Sequence, residues 1–467
     1  MTRSTLIVRV GCALCLGLHV LGAAPAVGLE AGTTLRGGAE LGLQASGADG
    51  AWSVATLQFE AAAPGFSVAL AAPLRMGIGP APHLAPRDWD EPGDFAHILR
   101  RLELRTAPDA AHPSRDVLLQ AGELAGVTLG HGVLVRRFYN VPTADHGRLG
   151  LRGTLRTEDL HADVLTDDVV QAEILAARLA VRPWQGRTGL DSLRLGFALA
   201  ADRVAPWITP QEPARALDEA GFVRAPRLPV VAAALDAAVD LWHGPRWRGA
   251  LALDVGLVGG NAKLGTAADR LDAGVQLGPV LRWEASGRSV EARADVRWLG
   301  GAWSPGWIDA TYGIERFQVL DGGPVRSALA ARIEPARLAR APWGAGGRVD
   351  VGARGWGRGS LDVDWSAKDA GSVGAWWVGE ERAGLQSRAW LVRKGLPSAL
   401  ALADLGPAVA GVGLRYRATG AFYAAFGLSR RWQERTASAS GPAPVPTGVH
   451  LAAATEWSAA IGFDLRR

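Results

Sequence analysis

The sequence predicts an all-β protein, a transmembrane antiparallel β-barrel of about 18–22 strands. Three observations carry that reading. An apolar, export-type segment opens the chain, strand-length segments alternate apolar and polar residues, and tryptophan stands at the ends of those segments. The pattern is clearest from Arg246 to Trp298. There Trp247, Leu251, Leu253, Val255 and Leu257 share one strand face, and Arg246, Arg248, Asp254 and Gly256 share the other. Leu271 to Trp283 repeats it, with Val275, Leu277, Leu281 and Trp283 opposite Asp272, Gln276 and Arg282. Val290 to Trp298 sets Val290, Val296 and Trp298 against Glu291, Arg293, Asp295 and Arg297. A side-chain period of two means β-strands with one apolar face. A soluble sandwich also alternates in this way. Segment length, terminal Trp and the charged opposite face instead fit strands with lipid on one side and a lumen on the other.

The start of the chain predicts export. Arg3 and Arg9 precede the apolar run Val10 to Leu21, and Ala24-Pro25-Ala26 offers a small-x-small cleavage site. This pattern predicts a signal peptide over residues 1–26 and one barrel domain over 27–467. Cys12 and Cys15 both fall in that leader. The mature chain then has no disulfide, no thiolate metal site and no cysteine nucleophile. No later segment has eighteen uninterrupted apolar residues, so no helical span is expected, and a closed barrel satisfies the backbone in lipid instead.

Charge is nearly balanced. The formal +4 falls to about +2 when Arg3 and Arg9 leave. Basic and acidic residues are interspersed, which argues against nucleic acid as a partner. The expected partners are outer-membrane lipid and small solutes in the lumen, and a homo-oligomer is compatible with such a barrel. Gly 60 and Trp 18 are high counts, suiting tight turns and membrane interfaces respectively.

Taken in order, the candidate strands before the opening stretch are 33–44, 51–60, 65–74, 96–105, 115–122, 126–138, 147–157, 159–166, 173–183, 190–201 and 229–242. After it come 307–320, 325–333, 347–356, 360–366, 372–379, 385–393, 409–417, 420–432 and 449–465. The total is about 23, whereas single-chain bacterial barrels have an even number, so some segments are not barrel strands. The runs 65–74 and 159–166 are the weakest. From residue 242 the connections alternate tight and long, as periplasmic turns and external loops do. The strand from 246 then runs outward and the last strand runs inward. Trp247 and Trp283 fall at the periplasmic rim and Trp298 at the outer one, forming an aromatic girdle. Residues 75–95 and 203–227 are too long for turns. They are expected to be external loops, with a constriction loop folded into the lumen as the alternative.

The most distinctive local sequence is Gly122-Glu-Leu-Ala-Gly-Val-Thr-Leu-Gly-His-Gly-Val-Leu-Val-Arg-Arg-Phe-Tyr-Asn140. With His146-Gly-Arg-Leu-Gly150, Asp167-Asp168 and Ala177-Arg-Leu-Ala-Val-Arg-Pro183, it resembles a pattern in uncharacterised outer-membrane barrel proteins of Gram-negative bacteria. The resemblance implies the same fold and location, and brings no catalytic residue with it. Gly130, His131 and Gly132 are expected in a glycine-rich strand where another group approaches closely. His131 is a candidate lumen-wall ligand, with a hydrogen-bonded structural histidine as the simpler reading.

Enzymatic constellations are sparse. Asp145-His146 would point to opposite faces of a strand. Asp159, His161 and Asp163 share a face but also describe a solvated wall, and G-x-S-x-G and H-E-x-x-H are absent. Asp167-Asp168 alone is too little for calcium. No enzyme, cofactor or metal is expected. The better candidates are the lumen-facing charges Arg246, Arg248, Asp254, Arg282, Glu291, Arg293, Asp295 and Arg297. They would set ionic selectivity in an open pore, or pair across strands in a filled one. The leading function is a porin-like channel for small solutes. The alternatives are a non-conducting surface scaffold or adhesin and, behind it, an outer-membrane hydrolase.

Overall fold

The computed structural model describes residues 34–46, 50–78, 98–106, 115–141, 148–184, 191–209, 225–260, 272–317, 319, 326–398, 401, 408–436 and 449–466. The expected leader, 1–26, lies outside them, as do Asp145-His146 and most of the two long loops at 75–95 and 203–227.

The first half of the chain forms β1 (Thr34–Ser46), β2 (Gly50–Ala63), β3 (Phe66–Gly77), β4 (Leu99–Thr106), β5 (Asp116–Gly122), β6 (Val135–Arg136), β7 (Gly150–Arg156), β8 (Leu160–Thr166), β9 (Ile174–Val181), β10 (Arg194–Pro206) and β11 (Arg227–His243). The second forms β12 (Trp247–Gly260), β13 (Asp272–Ala285), β14 (Arg288–Leu299), β15 (Ile308–Asp309), β16 (Trp343–Ala353), β17 (Gly357–Ser366), β18 (Gly371–Gly379), β19 (Leu385–Leu396), β20 (Ala408–Arg417), β21 (Phe422–Thr436) and β22 (Val449–Arg466). Three short helices, α1 (Tyr312–Glu315), α2 (Ala328–Arg332) and α3 (Pro335–Leu338), lie between β15 and β16.

Twenty of these strands make one antiparallel sheet. It closes where β1 pairs with β22, from Arg36 opposite Arg466 to Ser46 opposite Glu456. Closure leaves no free edge, so every strand finds backbone partners on both sides. Within β12 the even residues Ala252, Asp254 and Val258 are buried, while Leu253 faces out. The predicted faces of the opening stretch are therefore the observed ones.

Three predicted strands are corrected. The described residues of segments 126–138, 307–320 and 325–333 are not staves of the barrel but fold inside it, and removing these segments leaves the even number observed. They read as strands because chain packed on two sides inside a lumen also alternates apolar with polar residues. The two weakest candidates, 65–74 and 159–166, are genuine staves, β3 and β8. The Gly130-His131-Gly132 strand is corrected as well, since these residues form a turn. Gly130 and Gly132 have φ of 56° and 85°, a left-handed region that glycine enters without steric cost.

From β11 onward one end of the barrel carries only tight connections, at 244–246, 286–287, 354–356, 380–384 and 418–421. The other end carries 261–271, 300–342, 397–407 and 437–448, with 367–370 the short exception. The two misread segments 307–320 and 325–333 are a pair, so the predicted alternation kept its parity. Trp247 and Trp283 are cross-strand partners at the tight-turn end, their rings 6.2 Å apart. Trp298 pairs with Trp343 at the other end.

Candidate functional site, a partly filled lumen

Two inserts enter the lumen from the long-connection end. The first, described over 123–141 and 148–149, leaves β5 and returns as β7. Its neck is held by Asn140, which is buried. The Asn140 side-chain amide donates to the carbonyls of Gly122, Arg148 and Asp167 at 3.0–3.1 Å, and its oxygen accepts from the Leu124 amide at 2.7 Å. One polar side chain thus satisfies backbone groups of three separate segments, as buried polar groups require. Asp167 also accepts from Arg148 and from the Ile174 amide. It is a structural residue of this neck, not half of a calcium site.

The second insert, described over 300–317, 319 and 326–342, joins the first through a parallel pairing of β15 with β6, Ile308 opposite Val135. Together they bury Val133, Leu134, Val135, Phe138, Trp303, Trp307 and Tyr312 against one wall of the barrel. That wall is lined by small side chains, with Ala176 opposite Ala200 and Ala198 opposite Ala234 on neighbouring strands. The Trp303 ring, 1% exposed, lies on Gly256 and Gly274, which face each other across β12 and β13. A Cβ on either glycine would fall within about 2.0 Å of the indole. The lumen-facing glycines are therefore a notch for the insert.

Buried ion pairs hold the second insert. Arg316, 2% exposed, donates to Glu173 at 2.7 Å and to Asp202 at 3.1 Å, and the Tyr312 hydroxyl donates to Asp202 at 2.9 Å. Burial alone would lower the Arg316 pKa, but the two carboxylates outweigh it and raise it above the ordinary arginine value. Burial and the Asp202 charge push the Tyr312 hydroxyl well up. Lys394 of β19 reaches Asp309 and Glu315. Arg337 pairs with Asp369 at the β17–β18 turn. Ser327, the α2 N-cap, accepts from the Ile208 amide at 3.2 Å.

The eight predicted lumen residues divide into two groups. Arg246, Arg248, Arg282 and Glu291 lie toward the tight-turn end, where Arg282 donates to Glu291 at 2.7 Å. Asp254, Arg293, Asp295 and Arg297 meet the inserts or their supports. Arg293 donates to the His131 carbonyl at 2.7 Å. Asp254 is 2.9 Å from His131 Nδ1 and accepts from Gln276 at 2.7 Å. Arg297 is bound to Asp295 and to Asp364.

His131, Asp236 and Asp254 are close enough to share an ion. However, Arg178 grips both oxygens of Asp236, at 2.9 and 2.5 Å, and the Asp254 oxygens are taken by His131 and Gln276. A guanidinium beside the carboxylates opposes a metal cation, so the cluster is an ion-pair network fixing the first insert. Asp163 likewise accepts from Thr154 at 2.8 Å, with His161 at 2.9 Å and Arg152 at 3.7 Å.

Opposite the filled wall, a cavity of about 1190 Å³ remains. It is bounded by the inserts and by strands β17–β20, with Gln44, Val54, Arg75 and Glu456 from the closing strands. At mid-height Arg136 and Arg137 of the first insert meet Asp362 and Asp364 of β17. These insert residues are not distinguishable from lumen-wall residues in the sequence, because their segment alternates as a stave does. Gly256 on the polar face and the run of small residues at 232–234 were the available signals.

No family model matches the sequence, and no curated protein matches it. Solved structures with a similar trace are remote. The ferric enterobactin receptor PfeA has a TM-score of 0.36 at 10% identity, with 93% of this chain and 81% of that chain covered. OccK11 (OpdR) of Pseudomonas aeruginosa has 0.32 at 11%, covering 93% and 96%. A porin of Rh. blastica has 0.25 at 9%, covering 93% and 100%. The closed barrel rests on its own strand pairing rather than on these likenesses.

Proposed function

We propose that this chain is an outer-membrane β-barrel that passes small solutes through the part of the lumen its inserts leave free. The observation that carries the reading is asymmetric filling. The inserts pack their apolar side on one wall and leave a cavity of about 1190 Å³, lined with charged side chains, along the other. A plug that merely sealed the barrel would be expected to pack against the whole circumference. The outward belt, including Leu253, Leu277 and Val296, suits lipid, and the Trp residues at both ends suit its interfaces. The lumen charges named above would then act in two ways. Arg246, Arg248, Arg282 and Glu291 line the inner mouth, and Asp254, Arg293, Asp295 and Arg297 position the inserts that set the width.

Proteoliposome swelling tests this. Monosaccharide-sized solutes should enter, and entry should fall steeply as solute size grows. Folded protein that admits no solute at all would contradict the channel and favour a surface scaffold.

A further inference from the structure

The cavity is not electrically neutral, and this deepens the channel reading on which it rests. Among the described residues, twelve Arg and Lys side chains line it against eight Asp and Glu. The carboxylates are already engaged. Glu123 pairs with Arg100, Asp309 and Glu315 with Lys394, Asp369 with Arg337, and Asp362 and Asp364 with Arg136 and its neighbours. Glu334 lies 3.9 Å from Arg326, and Glu456 accepts from Gln44.

Four of these cations have no carboxylate within ion-pair distance among the described residues. Arg332 stacks 3.9 Å over the Trp307 ring and donates one nitrogen to the Trp307 carbonyl, while its Nη1 has no hydrogen-bond partner. Lys368 donates only to the Gly301 carbonyl, at 2.7 Å. Arg340 donates to the Lys368 carbonyl at 3.0 Å. Arg388 lies along Gly413 on the lumen face of β19. The first three sit where α2, α3 and the β17–β18 turn meet, at the long-connection end. Arg388 sits near the opposite end, three residues into β19. Cations thus stand at both ends of a mid-section in which Arg136, Arg137 and Arg297 are matched by aspartates.

We infer that the channel selects small anions, with Arg332, Arg340 and Lys368 attracting them at one mouth and Arg388 receiving them near the other. Fixed charge of one sign raises the local concentration of the opposite mobile ion and so biases its flux. The species is a small anion, inorganic or carboxylate, and the chemistry that recognises it is charge.

The test is the zero-current potential of single channels in a potassium chloride gradient. Wild type should show chloride permeating several-fold better than potassium. Lys368→Glu with Arg340→Glu should remove or invert that preference, and Arg388→Lys should retain it. Conducting wild-type channels that prefer potassium, or an anion preference untouched by the double variant, would overturn the inference and leave the channel standing. A folded barrel that never conducts would overturn both.

Discussion

Arg316 and Asp202 show most plainly what the interior charges do. A buried ion pair is costly to break because the surviving partner is left charged without compensation, typically at about 3–5 kcal/mol. Arg316→Ala should therefore loosen the second insert while leaving the barrel closed. Hydrogen exchange would then rise across 303–338 and stay low in the staves; unchanged protection in the insert would count against the anchoring role. Arg293 changes meaning in the same way. As a strand-face charge it reads as wet, yet it donates to the His131 carbonyl at 2.7 Å, so Arg293→Ala should also raise exchange around 129–135. Lys368 gives a pH signature. Burial and the neighbouring Arg337 lower its pKa, and Asp369 and Asp272 only partly restore it. A lowered lysine pKa means the charge is lost as pH rises toward the ordinary value near 10.4, earlier than for a free lysine. Anion preference should weaken over that rise in wild type, and Lys368→Arg should hold it constant across the same range.

Among the elements, the staves were legible and the inserts were not, for one physical reason. Alternation reports that a segment has one apolar and one polar side, and a stave between lipid and lumen satisfies that. Residues 126–138 satisfy it too, because Val127, Leu129, Val133 and Val135 pack on the insert core while Arg136 turns to the cavity. Nothing local in that pattern separates chain in the wall from chain inside it. Glycine placement does carry part of the difference. Gly256 and Gly274 make no sense on an open lumen wall but are required beneath Trp303. Trp303→Ala should thus destabilise the insert by roughly 3–5 kcal/mol, the usual range for a buried aromatic truncation, read as a lower midpoint for insert proteolysis. On the outer face, Leu253→Arg should impair assembly, since arginine at a bilayer midplane costs about 2–4 kcal/mol. Normal heat-modifiable migration of that variant would place the face away from lipid.

For the molecule as a whole, the barrel class, the strand number within its range and the alternation of tight and long connections from 246 follow from pattern alone. What fills the lumen does not, because it depends on contacts such as Arg178–Asp236 and Lys394–Asp309 between residues far apart in sequence. The outcome is a barrel divided lengthwise. One side is an apolar and ion-paired seat for the inserts, and the other is a cavity lined with charged side chains. The geometry also supplies a direct way to remove the division. The Leu299 amide donates to the Pro342 carbonyl at 2.6 Å, and Trp298 faces Trp343 in register. Residues 301–341 can therefore be replaced by a short glycine turn without disturbing β14 or β16. Single-channel conductance of wild type and of this deletion should be compared in planar bilayers. Small discrete steps for wild type and steps several-fold larger for the deletion are expected. Equal conductance in the two, or silence in both from folded barrels, would contradict an insert that narrows an open channel.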